Sequence, residues 1–127
     1  MKEVIAIIRM DMINKTKEAL LQNGFPAVTG LKVMGRGKKK VDFTLIESLV
    51  SGAEIEPSSL GEALSEGHRL IPKRMLKIVV EDAKVKELID TIISVNQKGH
   101  PGDGKIFVLP LVDAVRVRTG ETGELAL

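Results

Sequence analysis

The chain has 127 residues, 43% of them apolar, with three Phe, no Tyr, no Trp and no Cys. Nineteen basic residues against 17 acidic leave a net charge of +2, so there is no global field of the kind that marks a general nucleic-acid binder and no aromatic platform for stacking bases. Without cysteine there is no disulfide and no thiolate metal site, and the length suits a single domain, 1–127, with an aliphatic core.

Val4 to Ile8 is continuously apolar and rich in branched residues, which predicts a strand buried on both faces. The run ends at Arg9 and is too short for a signal segment or a membrane span, so a cytoplasmic protein is expected. From Met12 the period changes: Ile13, Thr16 and Leu20 recur at helical spacing, and Asn23-Gly24 is a C-terminal stop. Pro26 bars further helix, and Ala27 to Met34 alternates as a second strand ending at Gly35.

The interval 36–69 is far longer than the roughly 4 to 6 residues of an ordinary connection. It opens with Arg36, Lys38, Lys39 and Lys40 around Gly37 and then carries apolar residues from Val41 to Val50. Ser59-Leu60-Gly61-Glu62 matches a capping box and predicts a short helix. A connection of this length with this much apolar content should fold against a partner or back on its own oligomer.

Order returns at Leu70. Ile71 to Val80 reads as a long strand with Pro72 near its start, Asp82 as a helix N-cap, and Val85, Leu88, Ile89, Ile92 and Val95 as an amphipathic stripe stopped by Gly99. Ile106 to Leu109 forms a fourth strand, and Ala114 to Arg118 a short extended segment. Strand, helix, strand, long connection, strand, helix, strand is the βαββαβ order of a ferredoxin-like α+β sandwich. Both helices cover one sheet face, and a symmetric oligomer would cover the other.

Chemistry concentrates in Gly99-His100-Pro101-Gly102-Asp103-Gly104-Lys105. Its glycines allow a sharp turn that brings backbone N–H groups near an anion, with Lys105 at the exit, although the spacing is not the Walker pattern and a strand follows. Arg116 and Arg118, two apart on an extended segment, would project from one face and could grip phosphates, whereas surface arginines on strands are usually solvated or paired. Lys38 to Lys40 is either a solubilising run or a ligand-facing one at a strand end, and Lys73 is a further cation at the root of the connection. His68 and His100 lack the neighbours a metal site needs, and no nucleophile-base pair is present, so binding rather than catalysis is expected.

Gly102-Asp103-Gly104-Lys105-Ile106-Phe107-Val108, then Arg116-Val117-Arg118-Thr119-Gly120-Glu121, with Gly35-x-Gly37 and Pro72-Lys73, resembles the signature of PII nitrogen-regulatory signalling proteins over nearly the whole chain. The resemblance implies a ferredoxin-like homotrimer with ATP or ADP, and Mg2+ with ATP, in clefts between subunits. By that likeness Gly35, Gly37, Lys38 and the turn Gly102, Asp103, Gly104, Lys105 would hold the nucleotide. Arg116 and Arg118 would reach across from the neighbouring subunit, Thr29 and Val79 would line the adenine site, and Lys73 would meet 2-oxoglutarate. Two departures matter. The chain has no tyrosine, so uridylylation of the long connection is chemically excluded, and Lys39 stands where relatives carry a glutamine that helps bind Mg2+ and 2-oxoglutarate.

The long connection, Gly99-His100-Pro101 and the run Gly67 to Arg74 are similar to the nitrogenase-associated PII-like regulators, which act as a pair. The longer-looped second member is the expected match. The implied function is a sensor whose 36–69 segment binds effector or target, with dinitrogenase as target and a paralogue as a mixed-oligomer partner. An ammonium channel or a biosynthetic enzyme is the alternative target. A small nucleotide hydrolase is a weaker alternative, because no general base is in evidence.

Overall fold

Residues 1–38 and 69–127 are described by a computed structural model. The chain divides into one unit of Met1–Val33 with Pro72–Leu127 and a second, Met34–Ile71, of which 34–38 and 69–71 are described. The predicted helix at Ser59–Glu62 and Lys39 lie outside the described residues.

Alternation decides how the first strand packs. β1 (Lys2–Arg9) buries Val4, Ala6 and Ile8 and leaves Ile5 and Ile7 only partly covered on the opposite side. The expectation of burial on both faces therefore holds for one face of this chain. A 3₁₀ turn at Met10–Met12 leads into α1 (Ile13–Gln22), which buries Thr16 and Leu20. At its end the Phe25 N–H donates to Leu20 O at 2.8 Å, so the helix stops where Asn23-Gly24 says it should, and Phe25 enters the core.

β2 (Thr29–Gly35) begins two residues later than the alternation predicts, because Val28 packs against the core instead of joining the sheet. β3 (Ile71–Val80) includes Pro72, one residue beyond the last β1–β3 pair, Arg9 with Lys73. Its missing N–H therefore takes nothing from that ladder.

The expected cap at Asp82 is not made. Asp82 opens a 3₁₀ turn (Asp82–Lys84), and Lys84, with no side-chain cap bond, precedes α2 (Val85–Asn96). The pairing of Lys2 with Val80 brings the N-terminal ammonium to the Asp82 carboxylate at 2.9 Å, and that carboxylate serves the ion pair. α2 ends at Asn96, before Gly99, and β4 (Gly104–Pro110) follows.

The four strands lie in the order β2-β3-β1-β4, with β1 antiparallel to both β3 and β4. This is the βαββαβ ferredoxin-like α+β fold. Val4, Ala6 and Ile8 meet Leu76, Ile78 and Val80 on one sheet face, and Leu20, Leu88 and Ile92 close the core from the helices. Each of these Val, Leu and Ile burials stabilises by roughly 1.5–3 kcal/mol. The other face carries Phe107 and Leu109 exposed, beside Ile5 and Ile7.

Beyond β4 the chain does not run extended through Arg118, as the sequence predicts. Val115 makes an isolated bridge to Thr122, Val117–Thr119 form a turn, and the Gly120 N–H donates to Arg116 O at 2.7 Å. Arg118 therefore sits in a turn and does not share an extended face with Arg116.

Candidate functional site

The Gly99–Lys105 turn joins α2 to β4, and its shape is set by one carboxylate. Asp103 Oδ2 accepts the N–H groups of Lys98, Gly99 and His100 at 2.8, 2.9 and 3.3 Å, while Oδ1 accepts Arg9 Nη1 at 2.9 Å. The hydrogen bond from the Lys98 N–H, joined by those from His100 and Gly99 and by the Arg9 charge, holds the Asp103 carboxyl below its ordinary pKa against a smaller opposing desolvation. These three amides are thus committed to Asp103. They are not free to meet an anion, and Lys73 and Lys105 are cations at the same turn.

Gly104 is where the turn enters the sheet. Its φ is +132°, and a Cβ there would lie 2.3 Å from Ile7 O, so only glycine allows β4 to approach β1 this closely. That close approach fixes the next residue, Lys105, opposite Ile7 on the open face.

Strand alternation places Lys73, Arg9 and Lys105 on the open face at one end of the sheet, with Arg9 registered against Lys73. Lys73 Nζ donates to Gly102 O at 3.3 Å, and Arg9 Nη2 donates to Pro101 O at 3.0 Å. Gly102, Asp103, Gly104, Lys105 and Lys73 are therefore brought together within one chain.

Arg9 is a member that the sequence reading missed. Its signal was present: a lone cation ending an apolar strand whose parity puts it on the face that Lys105 shares. On the helix side, a recess of about 410 Å³ backs the turn, lined by Ile89, Ile93, Gln97, Gly104 and Ile106.

The remaining residues stand elsewhere in the chain. Val79 shares the open face with Lys73 but lies six residues along β3, roughly 20 Å away at strand rise. Thr29 opens the edge strand β2, Gly35 closes it, and Gly37 and Lys38 follow. Arg116 is engaged: Nη1 pairs with Glu121 Oε1 at 3.3 Å and Nη2 donates to Leu127 O at 3.0 Å. Arg118 is exposed and makes no ion pair among the described residues. No group of three or more His, Asp or Glu suited to a metal occurs among the described residues, and no described helix is long and apolar enough to cross a membrane.

Residues 1–121 match the family described as nitrogen regulatory protein P-II. The chain is 48% identical to the nitrogen fixation nifHD region GlnB-like protein 2 of Methanothermococcus thermolithotrophicus, over all of this chain and 98% of that one. It is 44% identical to the nifHD1 region GlnB-like protein 2 of Methanosarcina barkeri, over all of this chain and 99% of the relative. Identity is 34% to nitrogen regulatory protein P-II 2 of Methanothermobacter thermautotrophicus, over all of this chain and 97% of that protein.

Proposed function

The chain belongs to the nitrogen regulatory protein P-II family, and on that premise we propose that it is a nucleotide-responsive sensor that controls nitrogenase through its 36–69 segment. P-II proteins are signalling proteins, not enzymes; they generally bind ATP or ADP and 2-oxoglutarate and form trimers. The observation that carries the proposal is full-length similarity, at 42–48% identity, to relatives whose names tie them to the nitrogen-fixation nifHD region.

In this reading the phosphates of ATP or ADP are held at the Gly102–Lys105 turn, with Lys105 and Lys73 as the facing cations. Mg2+ accompanies ATP and neutralises part of its charge. Thr29, Gly35, Gly37, Lys38 and Val79 complete the site in a cleft between copies, and Arg116 and Arg118 enter from the neighbouring copy. The spacing along β3 supports this division, because Val79 lies roughly 20 Å from Lys73 at strand rise. Arg118 is ready to meet a phosphate as it stands, whereas Arg116 must share or release Glu121. 2-Oxoglutarate is the candidate second effector, with Lys73 and Lys39 as its cations.

Sensing requires the effector to bind one state of the 36–69 segment better than another, with coupling of about 1–3 kcal/mol as the usual scale. Calorimetric titration with MgATP, without and with 2-oxoglutarate, tests the reading. Binding tightened by 2-oxoglutarate is the expected result, and absence of MgATP binding overturns it. Removing residues 41–66 should leave MgATP binding intact and abolish inhibition of dinitrogenase; inhibition by the truncated chain would sink the role given to that segment.

A further inference from the structure

We propose that Arg9 is a positioning residue for the anion-accepting turn, shaping it through Asp103 and Pro101 without itself meeting the ligand. The inference rests on the nucleotide reading above for its functional consequence, but its structural part stands on the turn alone.

Two acceptors are reached by one planar group: Nη1 donates to Asp103 Oδ1 at 2.9 Å and Nη2 to Pro101 O at 3.0 Å. A guanidinium does this with a single rigid fork, which a lysine ammonium on a flexible stem does not reproduce. Asp103 then passes the constraint on, since its second oxygen gathers the N–H groups of Lys98, Gly99 and His100. Arg9 therefore holds both limbs of the turn, one through the carboxylate and one through the Pro101 carbonyl. The group also lies close against the backbone between them: a Cβ on Gly102 would come within 3.2 Å of Arg9 Nη2.

The base of this clasp is stiff. Arg9 ends β1, is registered against Lys73 of β3, and follows Ile8, which is fully enclosed in the core. Its charge is already answered by Asp103, whereas neither Lys73 nor Lys105 has a carboxylate partner among the described residues. Labour is thus divided between one cation that sets the turn and two that face an anion. Holding the turn in its binding shape before the ligand arrives removes an ordering cost from binding.

The test compares wild type with Arg9→Gln, Asp103→Asn and the double variant. Amide hydrogen exchange in the ligand-free protein should accelerate at Lys98, Gly99 and His100 in Arg9→Gln, while amides of β1 and α2 keep their wild-type rates. MgATP affinity should fall about tenfold in Arg9→Gln through lost preorganisation, with the slope of log affinity against log salt unchanged, and the double variant should lose less than the two single losses combined, since they share the Arg9–Asp103 bond. Unchanged exchange at the three amides overturns the proposal. So does an affinity loss with a shallower salt slope, which is the signature of a direct phosphate contact. Should wild type bind no MgATP, the nucleotide reading falls, and the exchange comparison alone decides for or against the clasp.

Discussion

At the scale of the residue, Gly104 and Asp103 have different jobs within one turn. Any side chain at position 104 meets the Ile7 carbonyl, so Gly104→Ala must either push β4 away from β1 or strain a positive φ. It should lower unfolding free energy by about 2–4 kcal/mol in a denaturant titration. Asp103 acts through charge and acceptor count. Its folded pKa lies below the unfolded value, so its stabilisation of the turn is complete above the unfolded carboxylate pKa and is lost as pH falls through the lower folded one. Exchange protection of the Lys98, Gly99 and His100 amides, corrected for intrinsic rate, should therefore persist through mildly acidic pH and collapse only below the usual carboxylate range. In Asp103→Asn that titration should vanish.

Between elements, the two helices are joined inside the core by a polar pair. Asn96 Nδ2 donates to Thr16 Oγ1 at 3.1 Å and to Ile92 O at 2.9 Å, and the Thr16 hydroxyl donates to Met12 O at 2.7 Å. Asn96 Oδ1 is buried with no partner among the described residues, so the pair carries a desolvation cost along with its bonds. Thr16→Val should cost about 1–3 kcal/mol, because it strands one Asn96 donor in the core. Asn96→Leu should cost less, since it removes the unpaired oxygen together with the donors. Equilibrium unfolding of the two variants and their combination checks this, and the double loss should be smaller than the sum of the singles. Helical spacing put Thr16 on the buried face of α1, but nothing in the local pattern paired it with a residue 80 positions away.

For the whole molecule, the decisive feature is the sheet face that no helix covers among the described residues. Ile5, Ile7, Phe107 and Leu109 lie there next to Lys105 and Lys77, an apolar patch left partly or fully exposed among the described residues. Further copies covering this face would bury it, in keeping with the trimers formed by the family. Phe107→Glu should shift the sedimenting species from oligomer to monomer while leaving the helix-side core intact; a wild-type monomer at micromolar concentration would contradict the covering. Assembly also bears on the proposed site: Val79 lies six residues along β3 from Lys73, and Arg116 is held by Glu121, so within the described residues of one chain neither adjoins the Gly102–Lys105 turn.

Period and punctuation in the chain determined the order of the elements, the end of α1 at Asn23-Gly24, the place of the Gly99–Lys105 turn between α2 and β4 and, through combined motifs, the family. Those are local properties: hydrophobic spacing, turn residues and missing N–H groups act over a few positions. Tertiary structure decided what depends on strand register. It gave Asp82 to the N-terminal ammonium instead of a helix cap, folded Arg116 against Glu121 and put Arg118 in a turn, and recruited Arg9 to a loop 92 residues away. Pairing across the sheet sets which distant groups become neighbours, and a charged side chain then goes to the partner that lies within hydrogen-bonding reach.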